Sequence, residues 1–321
     1  MNNLIDDCNI IKSFDINIRL GKVPHAHLFL SEDEDMLVNV SREVACRLFG
    51  AKDGANTNIR ERVYKGIFPD VIEIGLEKAG NVKDIEQIIN DSIIAPFEGD
   101  KKLFILYHFD EMNDSASNKL LKTLEEPPKN VYFILCAKNE FALLTTIKSR
   151  VEKMYLERFD SSKMLNALIR EGVDEKVAEV CVGLSMGLWY NAHKMATDKK
   201  YVELIKVVQK TFLELDGSVK LAEFCDLYGQ NKQNFDEILD IMACFARDLL
   251  MIKIGAEDLI DQKSNLSLYH KILNEYSCKS LTKLLEKIID LKEKIFYNVN
   301  VVELIDELLF YFVEVKIKCR E

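Results

Sequence analysis

The sequence predicts an α/β domain on a parallel sheet, followed by a chain that is helical to its end. Before Phe159, short apolar runs of strand type alternate with segments whose apolar residues recur at helical spacing. After it, strand-like runs largely vanish, and the low counts of 13 glycines and 5 prolines favour helix. We predict an α/β domain over residues 1–157, a small helical domain over 158–199 and a helical domain over 200–321.

Composition and charge exclude several classes of protein. A net charge of −10 argues against a broad basic surface for nucleic acid. The sequence has neither the pattern of a signal peptide nor an apolar run of membrane-spanning length, so a cytoplasmic protein is predicted. The eight cysteines are scattered without C-x-x-C spacing, which predicts reduced thiols and no metal site.

The α/β domain begins with a predicted helix over residues 1–20 and a strand at His25–Leu30. Where a P-loop protein carries its glycine-rich loop and lysine, this chain has Ser31-Glu32-Asp33-Glu34-Asp35. Four carboxylates suit a helix N-terminus, where the macrodipole favours anions, but they repel a triphosphate. Ser31 and Glu34 fit a capping box, so we predict a helix that caps itself and binds no nucleotide.

The next segment, residues 50–69, is polar and contains glycine, which predicts a surface loop. Its Arg60, Arg62 and Lys65 are interpreted as solvated side chains, with a contact to nucleic acid as the alternative. The remaining strands of the sheet are predicted at Asp70–Ile74, Leu103–Tyr107, Val131–Cys136 and Lys153–Leu156.

The stretch Asp110–Pro128 lies between two of these strands and predicts one short helix. Asp114 or Ser115 can cap its start, and two prolines stop it because proline lacks the backbone N–H that a helix needs. Glu125 and Glu126 are adjacent, so they point in different directions and predict a polar helix end rather than a catalytic carboxylate pair. The apolar face of the helix consists of Leu120, Leu121 and Leu124.

Four segments of this chain follow one another in a distinctive order. They are His25–Phe29, Val82–Ile85, the block N-K-L-L-K-T-L-E-E-P-P at Asn118–Pro128, and Thr146–Arg150. Through this specific block the chain resembles the bacterial clamp-loader AAA+ family, by motif over residues 1 to about 200. The resemblance implies an AAA+ sheet domain, a small helical lid domain and a C-terminal helical collar domain for oligomerisation.

Active members of that family bind ATP, but the matching positions here have lost the required residues. Tyr107 and His108 stand where the magnesium-binding acidic pair is expected, and Asp110-Glu111 lies three residues late. The polar residue that serves as the family's first sensor is replaced by the Cys136-Ala137-Lys138 region. The basic residue that serves as its second sensor aligns with Asn191. The resemblance therefore implies no catalysis by this chain alone and no bound cofactor or metal.

A zinc module with four cysteines is common in some members of the family, between the first helix and the second strand. In this chain only Cys46 is near that place, and residues 50–69 contain no cysteine. We therefore predict that the zinc module is absent.

One catalytic element of the family is retained. Ser149-Arg150 matches its S-R-C motif, with Val151 in place of cysteine. The resemblance implies that Arg150 is an arginine finger that acts in trans on a neighbour's ATP, with Ser149 as motif support. The alternative is a local salt bridge between Arg150 and either Glu152 or Glu157.

The resemblance as a whole implies a clamp-loader subunit of the DNA polymerase III holoenzyme that is not itself an ATPase. Its partners would be gamma or tau and delta subunits in a hetero-pentamer. Sliding clamp and primed DNA would be reached through that complex, with no membrane involved. Two alternatives remain: an active ATPase of the gamma and tau type, and a purely structural scaffold subunit.

Overall fold

The computed structural model of the protein describes residues 2–51, 57–215, 217, 219–260, 263–297 and 299–317. The chain divides into two compact units, Met1–Phe159 and Asp160–Glu321. Within the described residues, every sheet strand belongs to the first unit. The predicted change from alternating strands and helices to helices alone is therefore confirmed. The further division between lid and collar after residue 199 stays a prediction.

A parallel sheet of five strands forms the centre of the first unit, and all pairs of neighbouring strands are parallel. Each predicted strand is present, with ends shifted by about one residue, as is usual for boundaries set by sequence alone. Numbered along the chain, the strands are β1 (Ala26–Leu30), β2 (Val71–Ile74), β3 (Lys102–Leu106), β4 (Val131–Ala137) and β5 (Glu152–Tyr155).

The order of these strands across the sheet is β2-β3-β4-β1-β5. β1 and β3 are buried along their whole length, because a parallel sheet is covered on both faces. This burial explains why both strands are continuous apolar runs in the sequence. The α/β class that was predicted from those runs is confirmed.

Helices of the first unit follow the strands along the chain. The helix predicted over residues 1–20 is two helices that meet at Cys8, the N-cap residue of the second. The helices are α1 (Asn2–Asp7), α2 (Asn9–Arg19), α3 (Glu34–Leu48), α4 (Thr57–Tyr64), α5 (Val82–Ile93), α6 (Asp114–Glu125) and α7 (Thr145–Lys148).

The helix α6 connects β3 to β4 and lies against the core. It starts one residue earlier than predicted, because the Asn113 side chain caps it by accepting a hydrogen bond from the Ala116 N–H at 2.9 Å. Asp114 and Ser115 are therefore wrong as cap residues. Leu120 and Leu124 are buried on its inner face, and burial of each stabilises the fold by about 1.5–3 kcal/mol.

The helix α4 occupies residues 57–64 of the surface loop that was predicted over residues 50–69. Residues 52–56 lie outside the described residues. The prediction was wrong for α4 because Arg60 and Tyr64 bind the buried Glu43, and such tertiary contacts override local composition. The Arg60 Nη2 lies 2.6 Å from the Oε2 of buried Glu43, and Arg62 pairs with Glu98. Both arginines for which a contact with nucleic acid was the alternative are therefore held in ion pairs.

Within its described residues, the second unit consists of helices and the turns that connect them, without a strand, as predicted. Helices predicted at 201–214, 232–254, 279–297 and 300–318 are present with shifted ends, and residue 318 lies outside the described residues. The helices are α8 (Ser161–Arg170), α9 (Glu175–Leu184), α10 (Trp189–Thr197), α11 (Lys199–Glu214), α12 (Leu221–Gln230), α13 (Phe235–Lys253), α14 (Leu266–Ile272), α15 (Cys278–Phe296) and α16 (Val301–Ile317).

Aromatic side chains form the centre of this second unit. The ring of Phe212 on α11 stacks on Phe245 of α13 at 5.8 Å and meets the edge of Phe312 of α16 at 5.1 Å. The buried Lys316 donates from Nζ to the Phe212 carbonyl oxygen at 2.8 Å and lies over the Tyr276 ring. Across the described part of the chain, no helix combines the length and apolarity needed to cross a bilayer.

Candidate functional site

The turn between β1 and α3 stands where a P-loop protein carries its phosphate-binding loop, and no nucleotide site was predicted for it here. The Asp33 side chain caps α3 by accepting from the Met36 N–H at 3.1 Å, and the Ser31 Oγ accepts from the Asp33 N–H at 3.0 Å. The predicted capping box of Ser31 and Glu34 is wrong, because Asp33 is the residue next to the first helical turn. The helix is nevertheless capped by its own side chain, with Glu34 and Asp35 in its first turn.

Tyr107 follows β3 at the position expected for a magnesium-binding acid. Its side chain is buried, and its hydroxyl donates to the Glu73 Oε1 at 2.7 Å. Arg42 binds both carboxylate oxygens of the same Glu73, at 2.8 and 3.0 Å. Burial raises the pKa of Tyr107 well above its usual range, so the phenol stays protonated and remains a donor. The Tyr107 hydroxyl therefore belongs to an internal hydrogen-bond network with Glu73 and Arg42.

His108 occupies the second acidic position and has a left-handed backbone with a φ of 49°. Its Nδ1 lies 3.4 Å from the Glu34 Oε1 at the start of α3. Together with Glu111, these two side chains place their ligand atoms within 4.8 Å of one another, so among the described residues they could hold a cation. The contact between the His108 imidazole and the Glu34 carboxylate also accounts for this cluster without a bound ion.

The space beside Tyr107 and His108 is a cavity of about 90 Å³, which Glu34, Asp35 and Cys136 also line. Ligand pockets in proteins have volumes of roughly 300–1,000 Å³, so this cavity is too small for a nucleotide. The Cys136 Sγ lies 3.2 Å from the Ser41 Oγ, and burial raises the pKa of the thiol to about 12. The place of the first sensor is therefore occupied by a neutral, buried thiol.

Asp110 resembles a magnesium ligand in sequence but has a backbone contact in the structure. Its Oδ2 accepts hydrogen bonds from the N–H groups of Lys138, at 3.2 Å, and Asn139, at 2.8 Å. These bonds fasten the turn that follows β4. The adjacent Glu111 is exposed. Asn191, aligned with the second sensor, lies on α10 in the second unit.

Arg150 lies in the turn after α7 and has a partner that the sequence did not indicate. Its Nε donates to the Glu125 Oε1 at 2.7 Å, and its Nη2 donates to the same oxygen. The partners Glu152 and Glu157, proposed as the local alternative, are wrong. Glu125 is the last residue of α6 and lies 25 positions earlier in the chain. Arg150 and Glu125 side chains are 30% and 47% exposed, so the pair lies at the surface.

Ser149 supports the same turn. Its Oγ donates to the Thr146 carbonyl oxygen at 3.0 Å and accepts from the Nη1 of Arg150 at 3.1 Å. The Nη1 of Arg150 also donates to the Thr146 carbonyl oxygen at 2.7 Å. The two residues of the predicted motif are therefore in contact, and the guanidinium group is oriented by the turn as well as by Glu125.

Comparisons with known proteins agree with the sequence motifs. The family model described as DNA polymerase III, delta subunit, matches residues 7–160. The delta-prime subunit of DNA polymerase III from Bacillus subtilis is 25% identical over 309 residues, which cover 93% of this chain and 93% of that protein. The tau subunit from Escherichia coli is 29% identical over 157 residues, which cover 47% of this chain and 24% of tau.

Among solved structures, a gamma subunit-related protein of DNA polymerase III from Thermotoga maritima is 18% identical, with a TM-score of 0.43. That match covers 94% of this chain and 99% of the other. The family match spans the sheet unit, and the similarity to the Bacillus protein continues through the helical unit. The sheet unit of this chain therefore matches a DNA polymerase III family model, and along 93% of its length the chain is similar to a delta-prime subunit.

Proposed function

We propose that this chain is a clamp-loader subunit that hydrolyses no ATP itself and supplies Arg150 to the ATP site of a neighbouring gamma or tau subunit. In a hetero-pentamer with gamma or tau and delta, it helps to load the sliding clamp onto primed DNA. One contrast carries the proposal: the residues at the ends of β1 and β3 are unsuited to phosphate and magnesium, whereas Arg150 is kept at the surface.

The residues found at the phosphate and magnesium positions support a subunit without ATPase activity. Phosphoryl transfer depends on backbone and lysine contacts to phosphate and on carboxylates that hold magnesium. Here Asp33 and Glu34 stand at the phosphate position, and a buried tyrosine and a histidine follow β3. An active ATPase of the gamma and tau type would need those groups, which disfavours that alternative.

The contacts of Arg150 suit a residue that can move to a new anion. A guanidinium group recognises carboxylate and phosphate with the same fork of donors, so Glu125 occupies the place that a phosphate would take. Ion pairs as exposed as this one contribute about 0–1 kcal/mol, so the contact is easily exchanged. A phosphate in its transition state carries more charge than one carboxylate and would attract the guanidinium more strongly.

The first prediction concerns Arg150→Ala in the assembled loader. We expect hydrolysis at the neighbouring site to fall by about 10³-fold or more, since arginine fingers supply rate factors of that size. The total rate should fall by the share of that one site. Steady-state ATP hydrolysis with clamp and primed DNA present measures the change, and gel filtration establishes that the variant still assembles.

Arg158→Ala is the matched control, because Arg158 is another exposed arginine of the same unit, paired with Glu32. Its rate should equal that of the unmodified loader. An unchanged rate in the assembled Arg150→Ala loader contradicts the finger and leaves the scaffold alternative. Arg150→Lys adds a further check, since a lysine keeps the charge but loses the planar fork of donors and should restore little activity.

A further inference from the structure

Glu125 binds the guanidinium group whose transfer to a neighbour's phosphate is proposed above. Both the Nε and the Nη2 of Arg150 donate to its Oε1, and the Nη1 is occupied by the Thr146 carbonyl and the Ser149 Oγ. All three guanidinium nitrogens are thus engaged within the chain. A phosphate that binds the Nε and Nη2 donors of Arg150 must therefore displace Glu125.

The position of Glu125 is set by the end of α6. It is the last helical residue, and the helix stops before Pro127. A carboxylate in the last turn of a helix is unfavourable, because that end of the macrodipole is negative. The positive charge of Arg150 offsets this repulsion, so the ion pair with Glu125 is favourable in the free chain.

We propose that Glu125 is a positioning residue that restrains Arg150 and competes with the neighbouring subunit's ATP phosphates for it. This inference rests on the proposed function, because it requires Arg150 to act in trans. Before ATP is engaged, the Glu125–Arg150 pair holds the guanidinium on its own subunit. Engagement breaks the pair and leaves the Glu125 carboxylate to solvent, which costs part of the energy that binds the phosphate.

The test is Glu125→Gln in the full chain, assembled with its gamma or tau and delta partners. We expect kcat/KM for ATP hydrolysis to rise about two- to fivefold, the range that follows from removing an exposed ion pair. The double variant Glu125→Gln with Arg150→Ala should match Arg150→Ala alone, because the restraint acts only through the arginine. Glu126→Gln removes the same charge one residue away and should change nothing.

Ionic strength provides an independent readout. Salt screens an exposed pair, so the ratio between the Glu125→Gln and unmodified rates should approach one as salt is raised. Glu125→Asp keeps the charge but shortens the side chain, and it should show a smaller rise; it also serves if the amide variant assembles poorly.

The possible results distinguish the role of Glu125 from that of Arg150. A fall in kcat/KM for Glu125→Gln would mean that Glu125 aims Arg150 productively, and an unchanged value would mean that the pair restrains nothing; either overturns the inference. If Arg150→Ala is itself without effect, the proposed function fails first. If Arg150→Ala lowers the rate while Glu125→Gln leaves it unchanged, only the role of Glu125 fails.

Discussion

At the scale of single residues, His27 shows what burial in the sheet does to a titrating group. It lies on β1 with 1% of its side chain exposed, and its ring is 5.3 Å from that of Phe14. Burial lowers its pKa from the ordinary 6.5 to about 4. Its Nδ1 lies 3.3 Å from the Glu152 Oε2, but at neutral pH the imidazole is uncharged, so this contact is not an ion pair.

The pKa of His27 predicts a loss of stability in acid. Between pH 6.5 and about pH 4 the unfolded chain binds a proton that the folded chain excludes. The free energy of unfolding should therefore fall with pH across that window, by about 3 kcal/mol in total. Urea unfolding at pH 7, 6 and 5 measures it. His27→Leu should lose much of this pH dependence and His270→Gln should keep it; equal slopes for His27→Leu and the unmodified chain would contradict the assignment.

Residue-scale features of the site were predictable to different degrees. The positions of Tyr107, His108 and Arg150 relative to the block Asn118–Pro128 were predictable, because they follow directly from counting along the chain. The partner of Arg150 was not predictable in this way. Glu125 lies on another element 25 positions away, and the contact exists only after α6 and α7 pack beside each other.

At the scale of elements, charged side chains fasten α4 to α3. Glu43 of α3 is completely buried, and its Oε1 accepts from the Arg47 Nε at 2.9 Å and from the Arg60 Nη1 at 3.0 Å. The Tyr64 hydroxyl donates to its other oxygen at 3.2 Å. The sequence predicted the helix α3, but it gives no sign that a carboxylate on this helix is buried, since that burial depends on α4.

This network predicts a large effect of Glu43→Ala. The change leaves the guanidinium groups of Arg47 and Arg60 without their shared acceptor, and breaking a buried pair costs about 3–5 kcal/mol. Because Arg60 is 26% exposed and Arg47 has other carboxylate partners, we expect the lower end, about 3 kcal/mol. Urea unfolding measures the loss. Glu61→Ala, on the exposed side of α4, is the control, and a Glu43→Ala effect no larger than the control's would disprove the role of the network.

At the scale of the whole molecule, the alternation of strands and helices predicted the α/β class, and helical spacing predicted the second unit. The strand order β2-β3-β4-β1-β5 was not predictable from these patterns, because it depends on pairings between distant segments. β1, for example, pairs with β4 and β5, more than 100 positions later. Periodicity identifies elements, whereas long-range packing decides their neighbours.

From the charge of the whole molecule and the size of its cavity, we predict that the isolated full chain shows no saturable binding of ATP. A net charge of −10 and four carboxylates at residues 32–35 oppose a polyanion, and the cavity of about 90 Å³ beside His108 cannot enclose one. Equilibrium dialysis with labelled ATP and magnesium measures binding, with an active gamma or tau subunit as the positive control. Raising salt should not restore binding, because screening removes long-range repulsion but supplies no ligands for phosphate or magnesium. Saturable binding by this chain alone would overturn the proposed function and favour an active ATPase.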